Sequence, residues 1–359
     1  MIMKRLALIL LALIPAMAFA QKADELAYTD ARELMLLNKG FDNTELYYSR
    51  LPQDMKSVTR DAVWELGLNS AGLAIRFCTD SKTLGVKWTP LFNGGMSHMA
   101  ATGVKGIDFY YLNEKGEWSF FCTAKPNGKE SKAVVIRNMD GKMREYLAYL
   151  PLYDGVERVA IGVDSDATIG KPRNNVLIKG ASKPIVFYGT SITQGGCASR
   201  PGMLFTSIIS RRLNKEVVNL GFSGNARMDK SMADIVARVD ADTYVIDCLP
   251  NCTSKILQDS AYVFLTKLAT ARPDSKIYMV ESYVYGYESL DLKTKEDQVK
   301  ENATWNEIYK RLRKEGYRNF RYVERRKVTE KDTEGTVDGT HRTDLGFQRM
   351  ADLYLKFLK

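Results

Sequence analysis

From about residue 184 to the C-terminus, short apolar runs alternate without exception with longer amphipathic ones. The strand-like runs lie at 185–188, 217–220, 243–247, 277–280 and 320–323. The helix-like segments fall near 204–213, 231–239, 261–271, 298–315 and 343–358. Strict alternation of this kind requires a parallel sheet with helices covering both faces, because only a crossover helix returns the chain for the next parallel strand. Five such strands predict a flavodoxin-like order. Ahead of them the texture differs. Between about 62 and 163, strand-like runs are spaced by turn signals such as Asn113-Glu-Lys-Gly116 and Pro126-Asn-Gly128. The runs are 62–66, 73–77, 84–88, 107–111, 118–121, 133–136, 145–149 and 158–162. Many short alternating runs predict an antiparallel, jelly-roll-like sandwich. Residues 24–47 are expected to hold a short helix and an edge strand.

The chain of 359 residues is long for one domain and comfortable for two. Residues 1–20 read as an export signal. Lys4 and Arg5 form a basic start, 6–14 an apolar core too short to span a bilayer comfortably, and Ala18-Phe-Ala20 a small-x-small cleavage site. The expected divisions are therefore 1–20 signal, 21–180 sandwich and 181–359 α/β domain. The expected location is periplasmic or secreted, with no stable membrane insertion after cleavage. The formal charge of +9 becomes +7 once Lys4 and Arg5 leave. The remaining cations are interleaved with acids, which argues against a nucleic-acid partner. Five cysteines, an odd number, leave at least one unpaired within the chain. Cys78 and Cys122 either pair or are buried as small hydrophobes, and the spacing of the five matches no metal site.

The apolar run of the first parallel strand ends abruptly in Gly189-Thr-Ser-Ile-Thr-Gln-Gly-Gly196. That is a strand-to-helix turn presenting Ser191 at the carboxyl edge of the sheet, where open α/β folds bind ligands. A nucleophilic serine needs a base, a group to orient the base, and donors for an oxyanion. The chain has only two histidines. His98 belongs to the β-rich half, and the two lie too far apart in context to imply a metal. His341 sits in Asp338-Gly-Thr-His341 with a carboxylate three residues upstream, and is the one plausible base in the α/β half. After the second strand comes Phe222-Ser-Gly224, and after the third Pro250-Asn251. A backbone N–H at Gly224 and a side-chain amide at Asn251 are donors of the right type on the same edge.

In that order, Gly-Thr-Ser191, Phe-Ser-Gly224, Pro-Asn251 and Asp338-Gly-Thr-His341 resemble the sequence blocks of the SGNH (GDSL-type) hydrolases, over about 184–359. Thr190 stands where the family name has Asp, and Arg342 where Pro is frequent. The resemblance implies Ser191 as nucleophile, His341 as general base and Asp338 as its orienting acid. It places the Ser191 N–H, Gly224 and Asn251 in the oxyanion hole, and it implies no cofactor and no metal. The front half, with Gly106-Ile-Asp-Phe-Tyr110, resembles the N-terminal sandwich of exported two-domain SGNH proteins, as in carbohydrate acetylesterases. The expected activity is removal of acetyl or other short acyl groups from carbohydrate. The alternatives are a lysophospholipase or thioesterase, and a non-catalytic glycan-binding protein on the same fold. For substrate contacts, Tyr283 and Tyr285 either stack on sugar or pack internally, and Arg342 either binds an anionic substituent or faces solvent.

Overall fold

The computed structural model describes residues 25–173, 182–330 and 332–358, so the expected signal at 1–20 lies outside the described residues. Among the described residues, ten strands form the front half: β1 Ala27–Asp30, β2 Met35–Leu37, β3 Ala74–Thr79, β4 Leu84–Pro90, β5 Ile107–Leu112, β6 Trp118–Ala124, β7 Ser131–Ile136, β8 Arg144–Tyr149, β9 Val156–Val163 and β10 Ile169–Gly170. They make two antiparallel sheets. One has the order β1-β9-β4-β7; the other has β10-β3-β8-β5-β6, with β2 paired to β3. Between them lies a core of Ile75, Phe77, Val86, Trp88, Phe109 and Ile161.

Five parallel strands form the back half: β11 Ile185–Gly189, β12 Val217–Gly221, β13 Thr243–Asp247, β14 Lys276–Val280 and β15 Phe320–Val323. Their order is β12-β11-β13-β14-β15, the flavodoxin-like one. Along β11 the side chains alternate between two apolar layers. Val186 and Tyr188 face the layer holding Met232, Phe264 and Trp305, whereas Ile185 and Phe187 face Phe205, Phe347 and Tyr354. Burial on both faces is why these strands read as continuous apolar runs.

One expected strand is a helix. Residues 62–66 lie in the helix Asp61–Gly67, whose buried residues Val63, Trp64 and Gly67 share one face. A run this short fits either period, and tertiary packing decides it. That packing joins the halves: Phe41, Leu51, Met55, Val63 and Trp64 belong to the same apolar cluster as Val186, Leu220 and Met232 of the parallel-sheet unit.

Two buried charges complete the junction. The Asp108 carboxylate on β5 accepts from Arg200 Nη1 at 2.6 Å, from the Gly202 N–H at 2.9 Å and from Thr123 Oγ1 at 2.5 Å. Burial raises the Asp108 carboxyl above its ordinary range, and the Arg200 guanidinium opposes that. On the other side, Arg50 donates to the carbonyls of Asn69 (2.8 Å), Leu66 (2.6 Å), Asn219 (3.1 Å) and Gly221 (2.9 Å). Burial pulls the Arg50 guanidinium down to about 9. Arg50→Met keeps apolar volume but removes the guanidinium's donors from those carbonyls, of which that of Leu66 keeps a backbone donor, the Asn69 N–H at 3.2 Å. It is expected to cost roughly 1–3 kcal/mol for each buried carbonyl left without a donor, read as a lower urea midpoint at unchanged slope. An unshifted midpoint would mean that water replaces the guanidinium at no cost.

Candidate active site

The turn after β11 is set between neighbouring strand ends by close approach. A Cβ on Gly189 would stand 2.0 Å from Thr193 Oγ1 and 2.7 Å from the Asp247 carbonyl, and one on Gly221 would stand 2.2 Å from the Gln194 nitrogen. Only glycine fits at both places. The Thr190 hydroxyl caps the short helix Ser191–Gln194 by accepting from the Ile192 N–H at 3.2 Å. Gly195 closes it at φ +112°, and its N–H donates to the Ser191 carbonyl at 3.0 Å. The Tyr153 hydroxyl, from the loop between β8 and β9, donates to the same carbonyl at 3.2 Å. Ser191 is thereby fixed at the first position of its helix with 8% of its surface exposed.

His341 Nε2 lies 2.9 Å from Ser191 Oγ, and His341 Nδ1 lies 2.7 Å from Asp338 Oδ2. The other carboxylate oxygen of Asp338 accepts from the backbone N–H of His341 (2.7 Å) and of Thr340 (3.0 Å). Partial burial alone would raise the Asp338 carboxyl. The imidazole and the two backbone N–H donors outweigh it and hold the group down to about 2. An ionised Asp338 takes the Nδ1 proton as a hydrogen bond, which leaves Nε2 as an acceptor toward Ser191. The loop is braced from below: the Val337 N–H donates to the His341 carbonyl at 2.8 Å, and Arg342 pairs with Glu330 at 2.9 Å.

The strand register brings the two donor turns to the same edge. Gly189 pairs with Gly221 on one side and with Asp247 on the other. The segments 222–224 and 248–251 therefore begin level with the Ser191 turn. Gly224 is exposed at φ +68°, with nothing within 4 Å of a Cβ position. Asn251 Oδ1 accepts from the Ala226 N–H at 3.3 Å, which ties the two turns together and orients the amide so that Nδ2 is the free donor. The Ser223 N–H is already donated to Gln194 Oε1 at 3.0 Å.

Two of the three expected substrate contacts face inward. Tyr283 is fully buried, its hydroxyl 2.8 Å from both oxygens of Asp247 at the end of β13. The Tyr354 hydroxyl donates to Asp247 as well, at 2.8 Å. Burial pushes the Asp247 carboxyl up to about 7 against the pull of these hydroxyls and of Arg342. Arg342 is 5% exposed, paired with Glu330, and its guanidinium lies 5.1 Å over the Tyr283 ring. Neither offers surface to a substrate, because each satisfies a buried charge beneath the His341 loop. Tyr285 is half-buried and stacks on Tyr287 with ring centroids 5.6 Å apart. The Tyr287 hydroxyl reaches Thr340 Oγ1 at 3.3 Å, so this pair rests against the His341 loop.

The histidines are not far apart. The loop between β4 and β5 carries His98 to the Ser191–His341 site, its ring centroid 5.7 Å from that of His341. Cys197, just past the Ser191 turn, completes a cluster: the donor atoms of His98, Cys197 and His341 lie within 4.8 Å of one another. Nothing in the sequence pattern of the β-rich half marked His98, since its placement is a product of domain docking. Cys78 and Cys122 are both free thiols, as are Cys197, Cys248 and Cys252.

Comparison with known proteins agrees with this architecture. The family described as GDSL-like Lipase/Acylhydrolase matches residues 182–359, and the N-terminus of Esterase_SGNH_hydro-type matches 26–169. The short name of the second, GxDLY, corresponds to Gly106-Ile-Asp-Phe-Tyr110, with Phe109 at the Leu position. Asp108 and Tyr110 of that motif are the two groups that hold Arg200. A crystal structure from Bacteroides ovatus assigned as a GDSL-like lipase is 36% identical, over 92% of this chain and 96% of that one, with a TM-score of 0.87. The salicylyl-acyltransferase SsfX3 of a tetracycline biosynthetic pathway is 15% identical, covering 93% of this chain and 98% of its own, with a TM-score of 0.71. A family two carbohydrate esterase from Cellvibrio japonicus is 10% identical over 91% and 95%, with a TM-score of 0.58. The latter two share the fold. No curated protein matches the sequence significantly. With the fold, the serine turn and these matches in agreement, the chain belongs to the GDSL-like lipase/acylhydrolase family of SGNH hydrolases and is a carboxylic ester hydrolase.

Proposed function

We propose that this hydrolase is an exported serine esterase that removes acetyl or other short acyl groups from carbohydrate through an acyl-enzyme. The observation that carries the mechanism is the continuous hydrogen-bond chain from Ser191 Oγ through His341 to Asp338. Ser191 Oγ attacks the ester carbonyl as its proton passes to His341 Nε2. The Ser191 N–H, the Gly224 N–H and Asn251 Nδ2 receive the oxyanion. The proton on Nε2 then goes to the departing alcohol oxygen. A water molecule gives a proton to the same nitrogen as it attacks the acyl carbon, and that proton then passes to Ser191 Oγ as the carboxylic acid leaves. Asp338 stays ionised throughout and holds the ring in one tautomer.

The carbohydrate reading rests on three supports. The Tyr285–Tyr287 stack lies beside the His341 loop, and aromatic rings at a cleft are suited to sugar faces. The fold, sandwich included, is shared with a family two carbohydrate esterase. The basic, apolar and small-x-small segments of 1–20 favour export, and among the described residues no helix is long and apolar enough to cross a membrane. The test is a nitrophenyl ester series from acetyl to long acyl, followed by acetylated glycans. Acetate is expected to be the best acyl group, with acetate released from the glycan. Activity that rises with chain length would replace this reading with a lysophospholipase or thioesterase. Glycan binding with no ester turnover would favour a binding protein.

A further inference from the structure

We infer that the cluster of His98, Cys197 and His341 beside Ser191 is a binding site for a borderline-soft divalent cation, zinc in the first place, and that occupancy switches the esterase off. The donor atoms of the three side chains lie within 4.8 Å of one another and come from three separate segments. His98 arrives on a loop of the sandwich, Cys197 on the turn after the short Ser191 helix, and His341 on the loop before the last helix. Two imidazoles and one thiol are a donor set that suits zinc, whose Zn–N and Zn–S distances of about 2.0–2.3 Å call for donors somewhat closer than these. Exposed His98 has freedom to supply that movement.

Two further features fit. His341 Nδ1 is engaged by Asp338 at 2.7 Å, the carboxylate–histidine arrangement that presents Nε2 as a metal ligand. Cys197 is held at φ +73°, an uncommon conformation for a residue other than glycine, and its thiol sits beside the imidazoles. On binding, the thiol releases one proton to solvent, and both imidazoles donate lone pairs as neutral rings. The lone pair taken from His341 is the one that accepts the Ser191 hydroxyl at 2.9 Å, so metal and nucleophile compete for one nitrogen. The inhibitory half of the inference rests on the proposed role of His341; the binding half does not.

The experiment therefore has two readouts. Cobalt(II) added to the protein is expected to give visible d–d bands with a thiolate-to-cobalt charge-transfer band. The latter should vanish in Cys197→Ala, and all bands should weaken in His98→Ala. Ser191→Ala, which removes the competitor for Nε2, should bind at least as tightly as wild type. In turnover of a short-chain nitrophenyl ester, zinc should inhibit reversibly, with activity restored by a chelator. His98→Ala and Cys197→Ala should keep basal turnover while raising the half-inhibitory zinc concentration at least ~10-fold, the lower bound expected when even a supporting partner of a metal ligand is lost. A charge-transfer band that survives Cys197→Ala, or zinc inhibition unchanged in both variants, would overturn the site. Cobalt binding with these dependences but no zinc inhibition of a measurable esterase would leave the site standing and remove the switch. A protein that turns over no ester is still decided by the cobalt spectrum, so failure of the esterase reading is distinguishable.

Discussion

Ser191→Ala is expected to lower kcat for a short-chain ester by roughly 10⁶-fold, the scale seen when the nucleophile of such a triad is removed. The substitution deletes one oxygen whose bonded partner is His341 Nε2. Thr190 and Thr193, the neighbouring hydroxyls, are turned elsewhere: the first caps Ile192, and the second occupies the space that a Cβ on Gly189 would need. Cys197 is the one alternative nucleophile in the cluster around His341. Burial and the nearby Asp338 charge push its thiol up to about 11, so at neutral pH it is a thiol and not a thiolate, and it makes a poor substitute. Because alanine fits this helical position and only one hydrogen bond is lost, stability should fall by no more than about 1 kcal/mol and the urea midpoint should stay close to that of wild type. Matching midpoints with lost turnover identify Ser191 as the nucleophile. Turnover equal to wild type removes the assignment.

How much of this was readable beforehand depends on whether the deciding interaction is local. The parallel strands were legible because burial on both faces makes each a continuous apolar run, and their observed bounds lie within a residue of the expected ones. The strand ends carrying Ser191, Gly224 and Asn251 followed from the same pattern, since parallel strands place all their carboxyl ends on one edge. Asp338 and His341 share a loop three residues apart, so their hydrogen bond is a local event. The failures are non-local. Residues 62–66 form an apolar run that fits a strand or a helix, and burial of Val63 and Trp64 in the apolar cluster shared with the parallel-sheet unit selects the helix. Arg342 neither binds an anionic substituent nor faces solvent, because the buried Glu330 carboxylate, distant in sequence, pairs with it. Of the two readings open for Tyr283, internal packing holds, because its hydroxyl bonds the buried Asp247 carboxylate. His98 is the clearest case, because its proximity to His341 comes from how two separately patterned halves dock.

Asp338→Asn should lower kcat by about 10⁴-fold with a much smaller change in KM, as for the equivalent change in a serine protease triad. The geometry gives two reasons, one for each amide orientation. With the amide nitrogen toward the ring, the donor faces His341 Nδ1 and drives the ring proton to Nε2, where it blocks acceptance of the Ser191 proton. With the amide oxygen toward the ring the tautomer survives, but the NH₂ then faces the backbone donors of Thr340 and His341, which now share one carboxylate oxygen. The loop must move to relieve that donor–donor contact, and the imidazole moves with it. A stability signature accompanies the kinetic one. The folded-state Asp338 group is held down to about 2, below an unfolded value near ~3.9. Its contribution is therefore present above pH ~4 and lost as pH falls toward about 2. Asp338→Asn should flatten that part of the acid unfolding curve, although solvent exposure of the carboxylate limits the size of the effect. Loss of kcat together with the flattened acid limb would tie His341 orientation to this one carboxylate. A variant with wild-type kcat would show that the ring is oriented by something else, and the role assigned to the Asp338–His341 bond would fall with it.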